Sequence, residues 1–555
     1  MWLTMLNFNQ TAMQHFYSPE AILKSAEEIL RKRGALSASL HLDIDKNLME
    51  EEYEIYQTNG HLTITGGSAS AVVFGAGRVI REPEFIGRSA PLKSFRCIYF
   101  ATHFGNWYDN ASEEELDTYL EDLVIWGCNT IKVWFDRHQF CNIREESAQI
   151  KIKRLKHIFQ KSALLGMKTF LLVLANESYK ESPKELRADW KGMKNGYKVN
   201  AITGHYHVEL CPSNPKALDL LLHWHNEMLE FFADIPLHYF EIFCYDQGGC
   251  TCANCAPYGA NGYWKIIPRL SELVRDKFPE CKIVLSTWRF DHFTDGEWEF
   301  LKNNIATLGK YIDILSVDNN DIKNLETVPQ SIPAMGFTDI SMDRQLPWGG
   351  FGVNPYPTFI DEFRKDPRLC GNSAYSEGIY EDLNKIMLLG TEWNTNTTAR
   401  DMIGEYADYY FGKPVRELVV QASLLMEENL SHNAVISQNK DNFSAYETDH
   451  TNSKLSWRLT YKTPKLDLTK ARLCMDKVSE AESLMEDSVK KSWRWQIFRL
   501  RAKIDLMLAE GKSPEEAFLA LEKIYHCGST TLPCLVPPSF SSWEKIICEG
   551  RPSMV

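Results

Sequence analysis

Over most of its length the chain alternates between short apolar runs rich in β-branched and aromatic residues and longer segments whose apolar positions recur every three or four residues. Between about 95 and 398 eight such rounds can be counted. The apolar runs are CIYFATH, NTIKVWF, KTFLLVLAN, HYFEIFCYD, KIVLSTWR, IDILSVDN, PAMGFTD and NSAYSEG. Unbroken apolarity, as opposed to strict alternation, marks strands covered on both faces, as in a parallel sheet. Glu113 to Trp126, Ile150 to Leu165, Pro215 to Phe232 and Tyr263 to Phe278 carry helical periodicity between those runs. Eight strands with eight connections predict a TIM (β/α)8 barrel, whose ligands bind where strands end and loops begin. The helical pattern is weakest in the sixth and seventh connections.

Either side of this repeat the pattern changes. Residues 1–94 read as a small α/β module: Ser18-Pro19-Glu20 starts a helix through Lys32, SASLHLDI, EEYEIYQ and HLTITG read as short strands, and a Gly- and Ala-rich helix runs from Ser70 to Arg81. Residues 399–555 read as a helical domain, with stripes in ARDMIGEYADYYFGKP, Leu468 to Met485 and Ser492 to Ala509. Around Ser437 to Thr451 the pattern lapses into polar residues, which predicts a loop. The fold class is therefore α/β, a barrel between a small module and a helical tail.

Composition narrows the function. A formal charge of -13 over 555 residues, without a basic stripe, argues against nucleic-acid partners. No run reaches the length of a membrane span, and the first twenty residues lack the charged and apolar regions of a secretory leader. The expected location is the cytoplasm, where the 14 cysteines stay reduced. Aromatics at 12% suit a large core and equally a cleft where flat sugar faces stack on Trp and Tyr. Self-association into a homo-oligomer stays open.

The expected strand ends gather carboxylates and aromatics: His103 and Trp107, Asp136, Asn176 and Glu177, Asp246 with Gln247, Trp288 with Arg289 and Asp291, Asp318, Asp339, and Tyr375 with Glu377. Trp348 lies in the Gly-rich loop PWGGFGVNPYP. Cleavage of a glycosidic bond needs this mixture, an acid for the leaving oxygen, a second carboxylate at the anomeric carbon, and a platform for the ring. Asp246 and Glu377 are the expected catalytic pair, with Asp246 the general acid. His103, Asn176, Glu177, Gln247, Trp288, Arg289, Asp318, Asp339, Trp348 and Tyr375 are expected to contact substrate. The bland alternative for each lip carboxylate is a helix or loop cap.

Two sets of motifs carry a family resemblance. Glu52-Tyr53-Glu54-Ile55, the LTITG strand and Phe74-Gly75-Ala76-Gly77 together resemble the non-catalytic module preceding the barrel in glycoside hydrolase family 20 hexosaminidases and family 67 glucuronidases. YDQGGCTCANC after the fourth strand and AYSEGIYEDLNK after the eighth resemble barrels of bacterial glycosidases, including family 163 endo-β-N-acetylglucosaminidases. The resemblance implies hydrolysis of an oligosaccharide with an N-acetylhexosamine. Family 20 places adjacent Asp and Glu after the fourth strand and family 84 two Asp, whereas here Gln247 follows Asp246. Acetamide assistance would then need its second carboxylate from Glu377, Asp318 or Asp339. A glucuronidase-like inverting enzyme, with Arg289 or Arg344 on the uronate, and a non-catalytic carbohydrate-binding barrel are the alternatives.

Cys250, Cys252 and Cys255 admit two readings. Free thiols shaping a loop is the one that the incomplete spacing favours, so no cofactor is expected. The other is a structural Zn with a fourth ligand such as Cys244 or a histidine.

Overall fold

The computed structural model describes residues 17–35, 39–102, 106–190, 194–198, 208–245, 248–329, 331–340, 353–363, 366–394, 396–429, 466–512, 516–517, 520–521 and 524. Four short strands form the N-terminal sheet: β1 (Ser39–Ile44), β2 (Tyr53–Thr58), β3 (His61–Gly66) and β4 (Gly87–Ser89), in the order β1-β3-β2-β4. β2 and β3 make the expected hairpin across Asn59-Gly60, both with positive φ. β4, only three residues long, is too short to leave a periodicity in the sequence. The helix Ala69–Arg81 lies between this sheet and the barrel. Its Phe-Gly-Ala-Gly run explains the fit: a Cβ on Gly75 would stand 2.5 Å from Ile64 Cγ2, and one on Gly77 would stand 2.6 Å from the carbonyl oxygen of Ile125.

All eight predicted strands form and close: β5 (Phe95–Phe100), β6 (Thr130–Trp134), β7 (Lys168–Leu174), β8 (Tyr239–Phe243), β9 (Lys282–Ser286), β10 (Ile314–Asp318), β11 (Ala334–Asp339) and β12 (Leu369–Ser376). Every neighbouring pair is parallel, and β12 pairs with β5 to complete the ring. The helices Glu113–Ile125, Glu146–Leu164, Pro215–Phe231, Gly262–Lys277, Glu297–Leu308 and Asp382–Trp393 cover the outside. The second begins at Glu146, four residues before the expected start, with Ala148 already buried in its first turn. The sixth connection holds a 3-10 turn, Asn319–Thr327, where the other described connections hold α-helix.

Inside the barrel, alternate residues of each strand stack in layers. Phe95, Cys97, Phe170, Tyr239, Val284, Ile314 and Met335 fill the lower one. Lys132 of β6 and Glu241 of β8 form an ion pair above it, neither with solvent exposure, and the ammonium lies 4.6, 5.0 and 5.1 Å from the ring centres of Tyr99, Phe170 and Phe337. Tyr99, Trp134, Leu172, Leu174, Phe243 and Phe337 make the upper layer, with Trp288 and Tyr375 packed on it.

The C-terminal helices Ala399–Tyr410, Arg416–Glu428, Leu468–Leu484 and Trp493–Ala509 pack on the barrel. Arg494 drives a buried guanidinium between Asp382 and Asp122, 2.7 and 2.9 Å away, both on barrel helices. The loop expected at Ser437 to Thr451 lies outside the described residues. Among the described residues no helix is long and apolar enough to cross a membrane.

Candidate active site at the barrel mouth

The inward register of the strands continues past the upper layer and ends in acids. Asp136 follows Trp134 by two positions, Asp318 and Asp339 close β10 and β11 in phase with inward-facing Ile314 and Phe337, and Glu377 follows Tyr375 by two. A floor of aromatic rings thus meets a rim of carboxylates. Asp318, Asp339, Trp288 and Tyr375 are half-buried.

Glu377 sits in a braced turn. Tyr375 Oη donates to its Oε1 at 2.8 Å. The next residue, Gly378, donates its N–H to Glu381 Oε2 at 3.1 Å, while its carbonyl accepts from Lys385 Nζ at 2.5 Å. Lys385 also donates to Tyr108 Oη and Tyr119 Oη, at 2.8 and 2.6 Å. Burial pushes this ammonium down to about 8, opposed by Glu381 and Asp382. Glu381 and Lys385 escape sequence reasoning, since an acid and a base four apart at a helix start look like an exposed pair.

Glu177 and Asn176, expected to touch substrate, are fully buried and hydrogen-bonded to protein partners. Glu177 accepts from Trp134 Nε1 at 3.1 Å and from the backbone N–H of His138 at 3.2 Å, with His138 Nδ1 2.7 Å away. Burial pushes its carboxyl up to about 8, against the pull of Arg137. The Asn176 amide bridges two connections: it donates to the carbonyls of Leu210 and Gly249 at 2.9 and 2.8 Å and accepts from Gly249 N–H at 2.8 Å.

Gly249 belongs to the loop after β8, which begins with Cys244 and Tyr245. At φ +116 it occupies a conformation that side chains avoid, and a Cβ there would stand 2.7 Å from the Trp190 ring. Farther along, Gly259 N–H donates to Glu297 Oε1 at 2.6 Å, and Tyr245 Oη donates to the same oxygen. The loop is therefore pinned at its start, middle and end. Asp246, Gln247, His103, Trp348 and Arg344 lie outside the described residues.

After β9 the chain carries two non-glycine residues in the left-handed region, Arg289 (φ 61) and Asp291 (φ 60). Such conformations cost roughly 1 kcal/mol or more each and collect at functional sites. They hold the Trp288 ring 5.1 Å from Phe337 and 6.2 Å from Phe243, and the Arg289 guanidinium 5.5 Å above Trp288. The Trp288 Nε1–H is buried with no hydrogen-bond acceptor among the described residues. Next to β10, burial and then the charge of Asp318 push the Asp321 carboxyl up to about 6.

Three of the loop cysteines meet a fourth from another connection. The Sγ atoms of Cys211, Cys250, Cys252 and Cys255 all lie within 4.8 Å of one another. Cys244, the partner suggested by the sequence, is buried in the core and outside this group.

The architecture is similar to that of glycoside hydrolases. A family 138 enzyme targeting pectin rhamnogalacturonan II superposes with a TM-score of 0.58 over 95% of this chain and 72% of that one, at 11% identity. The family 89 enzyme of Clostridium perfringens, solved with GlcNAc-α-1,4-galactose, superposes with a TM-score of 0.59 over 94% of this chain and 66% of its own, also at 11% identity. A family 20 exo-β-N-acetylglucosaminidase from Vibrio harveyi gives 0.49 over 74% of this chain and 72% of that one, at 12% identity. Family 20 is among those the sequence motifs suggest; families 89 and 138 are not. At these identities the likeness is one of fold. The chain matches no protein-family model and no curated protein.

Proposed function

We propose that the protein is a glycoside hydrolase cleaving an oligosaccharide that carries an N-acetylhexosamine, with Asp246 as general acid and Glu377 as the carboxylate facing the anomeric carbon. The observation that carries this reading is the aromatic floor of Tyr99, Trp134, Phe243, Phe337 and Trp288 under a rim of acids at the C-terminal end of the barrel. Sugar rings present apolar faces to such a floor while their glycosidic oxygens reach the rim. The family 89 structural neighbour, solved with an N-acetylglucosaminide, supports the substrate class.

Tyr245, the residue before Asp246, is buried and held by Glu297 and Tyr197, which stiffens the stem of the loop. In the proposed step Asp246 delivers its proton to the leaving oxygen while the C–O bond breaks. Glu377 either attacks the anomeric carbon, the glycosyl ester then being hydrolysed by a water that gives its proton to Asp246, or takes the proton of a water that attacks that carbon directly. A separation of about 5 Å between the two carboxyls would give retention, and about 6.5–9.5 Å inversion. Asp246→Asn and Glu377→Gln should each keep the circular dichroism of the wild type and lower turnover of an aryl N-acetylhexosaminide by at least about 10^3-fold. Unchanged turnover in both variants would refute the pair.

A second reading has one observation behind it. Arg289, held in an unfavourable backbone conformation over Trp288, puts a cation beside the floor, which suits an acidic sugar. A panel of aryl glycosides decides: turnover of uronides alone, abolished in Arg289→Met, favours a glucuronidase-like enzyme over the acetamido-sugar reading.

A further inference from the structure

We infer that Cys211, Cys250, Cys252 and Cys255 form a structural zinc site that ties together the connections after the third and fourth barrel strands. Cys211 Sγ lies 3.6 Å from Cys250 Sγ, 3.7 Å from Cys252 Sγ and 3.8 Å from Cys255 Sγ. Four sulfurs about 2.3 Å from a central ion at tetrahedral angles stand about 3.8 Å apart, so these spacings are those of a tetrathiolate cage. A disulfide needs its sulfurs at about 2.05 Å. All four sulfurs lie within 4.8 Å of one another, close enough for a single ion to reach each of them.

The surroundings fit a cage of thiolates. Cys250 and Cys255 are fully buried, and Cys211 and Cys252 half-buried. Asp189 N–H points at Cys250 Sγ at 3.4 Å and Ser213 Oγ lies 2.9 Å from Cys255 Sγ, the kind of outer donors that orient and partly neutralise ligating sulfur. Cys211 sits just before the helix Pro215–Phe231, whose N-cap is Asn214. The other three share the loop that follows β8, so one ion would bind two loops at once. Four protein ligands fill a tetrahedral shell and leave no place for water, which makes the site structural and not catalytic. Cys250 is four residues beyond Asp246 in the sequence, so the ion would also anchor the loop that carries the proposed acid.

The test uses the full chain purified without added metal and without chelators. Elemental analysis should find one zinc per chain, and Cys211→Ser and Cys252→Ser should each reduce it below roughly one fifth of that. Should those variants not fold, the wild type alone decides: a mercurial titrated against the thiols should release zinc in step with modification of four cysteines, as read by a colorimetric chelator. Cobalt loaded in place of zinc should show the intense visible bands of a tetrahedral tetrathiolate. Protein free of metal with four titratable thiols, stoichiometric iron in place of zinc, or disulfides among these cysteines by mass spectrometry would each overturn the assignment. None of these readouts depends on turnover, so the site stands or falls separately from the proposed hydrolase activity.

Discussion

Lys132 of β6 and Glu241 of β8, on strands separated by β7, pair inside the barrel with no solvent exposure of either side chain. Removing two charges from water costs several kcal/mol per ion, and the pair recovers this only while both partners are present. Lys132→Met should therefore destabilise the protein by about 3–5 kcal/mol by stranding the Glu241 carboxylate. The double variant Lys132→Met/Glu241→Leu should regain most of that loss. Urea unfolding of the two single variants and the double variant checks it; a double variant as unstable as the sum of the singles would contradict the coupling.

The Asn176 amide makes three hydrogen bonds to the backbone of two loops. Asn176→Ala leaves those buried groups without partners and should cost on the order of 2–4 kcal/mol. Because Gly249 lies three residues after Asp246, we expect turnover to fall more than substrate affinity. Steady-state kinetics alongside thermal melts would reveal the split; a change in KM alone would place Asn176 at the substrate instead.

Trp288 presents a half-buried ring in the aromatic floor. Stacking of this kind contributes about 1–2 kcal/mol, so Trp288→Ala should raise KM roughly 10-fold with a smaller effect on kcat. Trp288→Phe should restore most of the affinity. An unaltered KM would remove the ring from the binding surface.

Glu392 gives a pH dependence with a definite sign. It is fully buried, Asn372 Nδ2 donates to its Oε1 at 2.6 Å, and its other oxygen has no hydrogen-bond partner among the described residues. Burial pushes its carboxyl up to about 8, against the hydrogen bond from Asn372 and the charge of Arg96. The folded protein then holds a proton that the unfolded chain has released, so this contribution is full below about pH 4.5 and is lost as pH rises through about 8. Glu392→Gln, which mimics the neutral acid, should flatten the fall in stability between about pH 5 and 8.5 measured by urea titrations. An identical slope in the variant would show that Glu392 does not titrate in this range.

The barrel is legible in the sequence because strands buried on both faces leave unbroken apolar runs, and the rim acids because each terminates such a run. Asp318, Asp339 and Glu377 stand out in this way. Lys132 and Glu241 do not, since a single charge inside TIKVW or YFEIF says nothing about which strand faces it across a closed cylinder. Asn176 and Glu177 also sit at a strand's end, and their hydrogen bonds to neighbouring loops and to Trp134 leave no mark in the sequence. Cys211 is hidden for a related reason: it comes from a different connection and reaches the other three only through the closure of the barrel.

As Arg494 ties the helical tail to the barrel, Arg96 ties the N-terminal module to it. Its guanidinium starts on β5, has no solvent exposure, pairs with Glu51 of the N-terminal module at 2.8 Å and lies 4.8 Å over the Trp393 ring. Excising the module would leave that cation without Glu51, just as trimming the tail would take Arg494 from Asp382 and leave Asp122 with Arg33 alone. Cutting the barrel free at either boundary would separate charges that the intact chain keeps paired, and exchanging the middle portion alone would have to carry Glu51 and Arg494 with it.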